Sequence, residues 1–343
     1  MSGYKVAERF GADQILNELI ERGIIMPRIP NVGYAMKNSL KEQVNYLNDN
    51  KEGIGIKSFE TYEKVINHFE KYVHEQTGTK RITLEDSIKY IQSYIDQYNN
   101  ANTQNTKISA LAKATHTNIS DYRRLERHYA DTIRGVEKAC HDEYNEIKAR
   151  DCLDLNRAVG VRRAELARID INKDIRYNEH GQMEVHTPRA KGGKYNINTI
   201  TIESHREIIE HYIQLAKAEG RTTLVSREML NNDADLHNMR AEHAKDTYRE
   251  IIEDMERNPE RRDFYKAEID RAFADYNAHC REGKEKTVPK NLDNPYHCRG
   301  YNKEILAERG IETVFDRTAV LYVSTHCLGH FREDTTVQHY LTK

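Results

Sequence analysis

Long apolar runs are absent from this chain of 343 residues. A membrane-spanning helix needs about 20 consecutive apolar residues, and no such run exists. The opening residues, Met1 to Phe10, lack the apolar centre of a secretory leader. A cytoplasmic protein with no membrane partner is therefore expected. Helix breakers are scarce, at 6 Pro and 17 Gly, which favours a helix-rich chain. The 5 cysteines, Cys140, Cys152, Cys280, Cys298 and Cys327, are odd in number and scattered. They form no disulfide framework and suit a reducing compartment. Three of them follow a histidine, in His279-Cys280, His297-Cys298 and His326-Cys327. No CxxC spacing supports a zinc site, so neither metal nor cofactor is expected. A basic surplus is missing too, since the formal charge is −2. A DNA partner normally calls for clustered Lys and Arg, but a net charge is not a charge distribution, and an acidic remainder can hide a basic groove.

What is present is a chain with 31% charged and 38% apolar residues, long enough for two domains and a sizeable core. Ile15, Leu16, Leu19 and Ile20 open with helical spacing, and Gly23 and Pro27 to Pro30 end the pattern. A second helical stretch runs from about Met36 to Leu47. Asn48 to Gly53 reads as a turn. From Ser58 a clear helix carries Tyr62, Val65, Ile66, Phe69 and Val73 on one stripe. Thr83-Leu-Glu-Asp86 has a capping-box pattern ahead of Ile88, Ile91, Tyr94 and Ile95. Helices carrying Ile108, Leu111 and Ala112, and then about Tyr122 to Val136, follow. The domain reading is a helical extension over 1–54, a helical bundle over 55–134, and a second domain over 135–343.

In the second domain a helix runs through Cys140 and Ile147. Three strand-like segments come next: Ile169–Ile175, Met183–His186 and Tyr195–Ile202, with a Gly192-Gly193 turn between the last two. Everything after is helical. The mixed-sign stretch within about 245–300 reads as solvated helices. The fold class expected is mainly α with a small antiparallel β-sheet.

Five features stand in one order: Arg162 in Gly160-Val-Arg-Arg-Ala-Glu-Leu166, Lys191 on the Gly-Gly turn, His237-Asn-Met-Arg240, Leu328-Gly-His330, and Tyr340. This ordered set resembles that of the tyrosine recombinase (phage integrase, site-specific recombinase) family. The likeness covers the second half of the chain and extends more weakly to 55–134. It implies a helical, SAM-like core-binding domain at 55–134 and an α+β catalytic domain at 135–343, interrupted by a helical insertion at about 245–300. It also implies binding to double-stranded DNA recombination sites, a homo-tetramer on DNA, and strand cleavage through a 3′-phosphotyrosyl intermediate. Integration or excision of a phage or mobile element is the implied role. The alternatives are a DNA-binding regulator of the same fold without turnover, and a type IB topoisomerase-like enzyme.

The chemistry fits those residue types. In-line attack on a phosphodiester spreads negative charge over the phosphate oxygens, and two arginines, Arg162 and Arg240, suit a clamp on that group. A tyrosine with a pKa near 10 is a weak nucleophile at neutral pH, and nearby cations with a histidine partner ease its activation. A lysine on a hairpin tip can protonate the leaving 5′ oxygen. The family assigns general acid catalysis to that lysine, here Lys191. His330 is expected on the phosphate and His237 in proton handling, with no metal required. Structural readings compete at each position. Arg162 can simply pair with Glu165 one turn on. Arg163, Lys194, His326 and His339 are the neighbouring competitors.

The chain departs from the family pattern in its long gap from Ala241 to Gly329, in Asn196 where an arginine often stands, and in a Leu-Gly-His to Tyr spacing longer by one residue. It also ends three residues after Tyr340, so no long C-terminal docking helix is expected.

Overall fold

The structure, a computed structural model, describes residues 29–44, 53–128, 143–190, 194–231, 234–280 and 282–342. The chain divides after Arg127 into two units. Among the described residues it is mostly helical, with one three-stranded antiparallel sheet and one two-stranded ribbon.

In the first unit, helices α1 (Val32–Glu42), α2 (Ile56–Thr77), α3 (Leu84–Ile88), α4 (Ile91–Ile95) and α5 (Ala101–Thr115) share one core. The α2 stripe points inward as its spacing requires, with Val65, Ile66, Phe69 and Val73 buried. Asn31 caps α1 by accepting from the Gly33 amide, and Thr83 caps α3 by accepting from that of Asp86. Two expectations change here. Residues 32–44 and 53–54 are not a separate extension: Val32, Met36, Leu40 and Ile54 lie in the same core as Phe69 and Ile108. α1 packs its apolar face on α2 and α5 because a lone amphipathic helix cannot cover that face itself. The helix expected from Tyr122 is absent as far as residue 128, where a 3₁₀ turn at Ile119–Asp121 leads into irregular chain. The pattern around Ile15 to Ile20 and residue Cys140 lie outside the described residues.

The second unit begins, as described, with α6 (Glu143–Val159) and the single turn α7 (Arg163–Leu166). The sheet follows, β1 (Ile175–Tyr177), β2 (Met183–Ala190) and β3 (Lys194–Ile200), in the order β1-β2-β3. Its register sets Met183 opposite Ile200 and Val185 opposite Asn198. Met183, Val185 and Ile200 share a core with Leu155 and Val159 of α6 and with Ile209 of α8 (Glu203–Ala218). The first strand is shorter and later than expected. Residues 171–174 turn instead, after Asp170 forms an isolated bridge with Thr223, and the Asn172 amide donates to the Asp170 carboxylate, an Asx-type bond that competes with strand pairing.

The remainder comprises α9 (Arg227–Leu230), α10 (Leu236–Arg257), α11 (Arg261–His279), the ribbon β4 (Tyr296–His297) with β5 (Val314–Phe315), α12 (Gly300–Glu308), α13 (Arg317–His326) and α14 (Glu333–Thr336), followed by a π-helical turn over Val337–Leu341. The charged stretch is not merely solvated. Tyr265, Ile269 and Phe273, spaced four apart on α11, are buried against Leu321, Tyr322 and Val323 of α13 and against Ile251 and Met255 of α10. No helix among the described residues is long and apolar enough to cross a membrane.

Candidate active site

α6 ends at Gly160, whose φ of +72° is open to glycine but strained for any other residue. An added Cβ there would lie 2.2 Å from Cδ2 of His243. The turn delivers Arg162 to the N-cap of α7. Glu165, in the first turn of α7, bonds back twice, accepting from the Arg162 backbone N–H at 2.9 Å and from Arg162 Nη1 at 2.7 Å. The local pairing and the functional placement of Arg162 thus coexist. The competitor Arg163 is spent elsewhere, donating to the carbonyls of Leu230 and Ala234.

Arg240 sits one helical turn after His237 on α10, so the two share a face. It is fully buried. Its Nη1 donates to the Gly160 carbonyl at 2.6 Å and its Nη2 to the Leu328 carbonyl at 2.8 Å. Glu165 Oε2 lies 3.8 Å from Nη1, and the buried Nε is left without a hydrogen bond. Burial pulls the guanidinium pKa down, while the Tyr340 hydroxyl and the Glu165 carboxylate act the other way. Burial alone would raise the Glu165 carboxyl, but the Arg162 amide and the charges of Arg240 and Arg162 outweigh it and hold that pKa below the usual range.

α13 is buried from Thr318 to Thr325. Beyond it the Ser324 carbonyl accepts the His330 amide at 2.9 Å, and the Ser324 hydroxyl accepts that of Arg332 at 2.8 Å. Gly329, at φ +59°, leaves space for Asn196 of β3, whose Oδ1 would lie 1.9 Å from a Cβ added there. Asn196 in turn donates to Asn198 Oδ1, and Asn198 to the Val159 carbonyl. The residue standing where an arginine was expected thus braces the Leu-Gly-His turn against the sheet.

The π-helical turn brings Tyr340 back into the core at 4% exposure. The short helix before it spans Glu333–Thr336. His330 Nε2 and the Tyr340 hydroxyl are hydrogen-bonded at 3.1 Å. The His237 ring lies 5.9 Å from that of Tyr340, edge to face, and the Arg240 guanidinium 6.0 Å from it. Arg162, Glu165, Arg240, Tyr340, His330 and His237 therefore form one contiguous cluster. Lys191 lies outside the described residues. His326 is not in the cluster: it stacks on Tyr322 at 4.1 Å, and burial pushes its pKa down to about 4.

Sequence reasoning missed two neighbours. His243, one turn beyond Arg240, is buried against Gly160, donates from Nδ1 to the Arg157 carbonyl at 2.8 Å, and stacks on His205. As the carbonyl can only accept, Nδ1 carries the proton. The i, i+3 spacing from Arg240 was the available signal. The other is the Asn196–Asn198 brace, which alternation along β3 places on one face. Beside His330 a cavity of about 1080 Å³ opens, lined among others by Asn196, His326, Phe331, Tyr276 and Lys286. Among the described residues no group of three or more His, Cys, Asp or Glu side chains is arranged to hold a metal ion.

No family model matches the chain, and no curated protein matches it. Among solved structures, the crystal structure of XerA recombinase aligns with 64% of this chain and 85% of its own at 14% identity, with a TM-score of 0.19. At that TM-score the likeness bears on neither fold nor chemistry.

Proposed function

We propose that the chain is a site-specific DNA recombinase that cuts and rejoins duplex DNA through a 3′-phosphotyrosyl intermediate, serving integration or excision of a mobile element. The observation that carries this reading is the hydrogen bond between His330 Nε2 and the Tyr340 hydroxyl, beside the guanidinium of Arg240. A phenol held against an imidazole and a buried cation is equipped for nucleophilic attack. A tyrosine serving only as core needs a partner for its hydroxyl but no cation beside its ring.

Tyr340 Oη attacks the scissile phosphorus and the bond to the 5′ oxygen breaks. His330, hydrogen-bonded to the hydroxyl before attack, takes up the phenolic proton, and the exposed His237 assists at the solvent side. Arg240 presents its positive charge to the phosphate, and its unpartnered Nε is a buried donor that a phosphate oxygen would satisfy. Arg162, oriented by Glu165, supplies the second cationic fork. Lys191 protonates the departing 5′ oxygen. The phosphotyrosyl link conserves the bond energy, so a second 5′-hydroxyl reverses the step without a nucleotide cofactor. The partners are double-stranded recombination sites and further copies of the chain, four on a paired site.

The test is incubation with nicked duplex DNA. A detergent-stable, protease-sensitive protein–DNA adduct with a free 5′-hydroxyl is expected, and it disappears in Tyr340→Phe. Two other outcomes redirect the reading. DNA binding without an adduct is the behaviour of a binding-only regulator, for which Arg240, committed to two backbone carbonyls, is a structural residue. Plasmid relaxation by a monomer without paired sites is that of a type IB topoisomerase.

A further inference from the structure

Lys286 lies between α11 and β4 and has no part in the chemistry above. Its Nζ donates to the carbonyl of His330 at 2.8 Å. Its own backbone is fixed from the opposite side by Asn277 of α11. The Lys286 N–H donates to Asn277 Oδ1 and its carbonyl accepts from Asn277 Nδ2, each at 2.8 Å. The ammonium lies 4.9 Å from the centroid of the Tyr276 ring and 5.1 Å from that of Phe331. Phe331 itself meets Tyr276 at 4.6 Å and Phe273 at 5.2 Å. These contacts surround a strained turn. Phe331 has φ +56°, a left-handed conformation that a bulky residue keeps only when its surroundings impose it. Gly329, on the other side of His330, is left-handed too. One flank is braced by Asn196, and the other by α11 and Lys286.

We propose that Lys286, seated on α11 by Asn277, Tyr276 and Phe331, is a positioning residue for His330 that sets where Nε2 meets the Tyr340 hydroxyl. This rests on the nucleophile reading of Tyr340. The donor is charged and the acceptor is a backbone carbonyl, which makes the bond stronger than a neutral one. The two ring faces hold the cation in place. The charged segment that lengthens the interval between Arg240 and His330 thereby becomes part of the site's architecture. A misplacement of about 1 Å at a reacting group costs roughly 100-fold in rate, so the loss of this anchor reads out in the cleavage step.

The experiment uses the full chain and a nicked duplex selected from a random-sequence pool for adduct formation. Lys286→Met keeps the stem but removes donor and charge. It is expected to slow single-turnover cleavage roughly 10- to 100-fold with DNA affinity within about threefold of the parent. Lys286→Arg, which retains a donor, restores the rate. In a His330→Ala background, Lys286→Met costs nothing further. An equal loss in both backgrounds, or a fall in affinity that accounts for the lost rate, overturns the proposal. A second readout needs no activity: NMR of histidine-labelled protein, with His330 assigned by its disappearance in His330→Ala. Lys286→Met is expected to shift the His330 ring signals and its titration midpoint while leaving those of His243 unmoved. Unchanged His330 signals overturn the positioning role. If the parent protein yields no adduct on any duplex, the nucleophile reading fails, and the NMR result alone decides the fate of Lys286.

Discussion

Gly160→Ala tests the join between the end of α6 and the Arg162 turn. Two costs add. At φ +72° an alanine occupies the left-handed region, worth about 1–2 kcal/mol against an L residue. Its Cβ also falls 2.2 Å from Cδ2 and 2.6 Å from Cγ of His243. That ring cannot swing away, because it is 1% exposed, bonded to the Arg157 carbonyl and stacked on His205. Overpacking of this kind costs about 1–3 kcal/mol, so the total is roughly 2–5 kcal/mol. In a unit of this size that corresponds to a drop in melting temperature of roughly 4–20 °C. Urea unfolding of a double-mutant cycle separates the two costs. In a His243→Ala background the overlap vanishes, and Gly160→Ala should cost only the backbone component of about 1–2 kcal/mol. A loss below about 1 kcal/mol in the parent background, or strict additivity with His243→Ala, would refute the reasoning.

Tyr340→Phe should fold as the parent does, losing one hydrogen bond worth about 1 kcal/mol, yet form no covalent adduct; an adduct seen on denaturing gels would remove Tyr340 as nucleophile. Arg240→Lys can reach only one of the two carbonyls of Gly160 and Leu328. It should lower stability by about 1.5–3 kcal/mol, and unfolding at the parent's denaturant midpoint would contradict the buried geometry. Acid should destabilise the fold. Burial holds His243 at a pKa of about 3 and His326 at about 4, whereas unfolded histidines titrate near 6.5. The unfolded chain therefore takes up protons first as pH falls below 6.5. Each residue subtracts about 2 kcal/mol between pH 7 and pH 5. His326→Gln should remove its share of that loss, and equal unfolding free energies at the two pH values would sink the assignment.

Periodicity carried the helices whose apolar residues recur on one face, as with Val65, Ile66, Phe69 and Val73. It was blind where polar residues dominate. Tyr265, Ile269 and Phe273 keep a clean four-residue step, but the charges around them made α11 read as solvated. Contacts between residues far apart in the chain leave no local trace. Nothing near Arg240 announces that it bonds the carbonyls of Gly160 and Leu328, 80 and 88 positions away. The order of Arg162, Arg240, His330 and Tyr340 was legible, and the structure gathers these four with His237. Their partners were legible only in part. Glu165 could be named from its spacing to Arg162, but its approach to Arg240 could not. The bond between His330 and the Tyr340 hydroxyl, ten residues on, was likewise not legible from the spacing. That Val32, Met36, Leu40 and Ile54 share a core with Phe69 was not legible, because a polar cluster such as Asn48 to Gly53 reads the same between domains as between two helices of one core.

The grip of a single guanidinium on two carbonyls has a dynamic consequence. The turn after α6 and the turn after α13 cannot loosen independently, since releasing either strands a buried cation. Amide hydrogen exchange around Val161 and around Gly329 should therefore report one shared opening event, and an anion that docks beside Arg240 should slow both together.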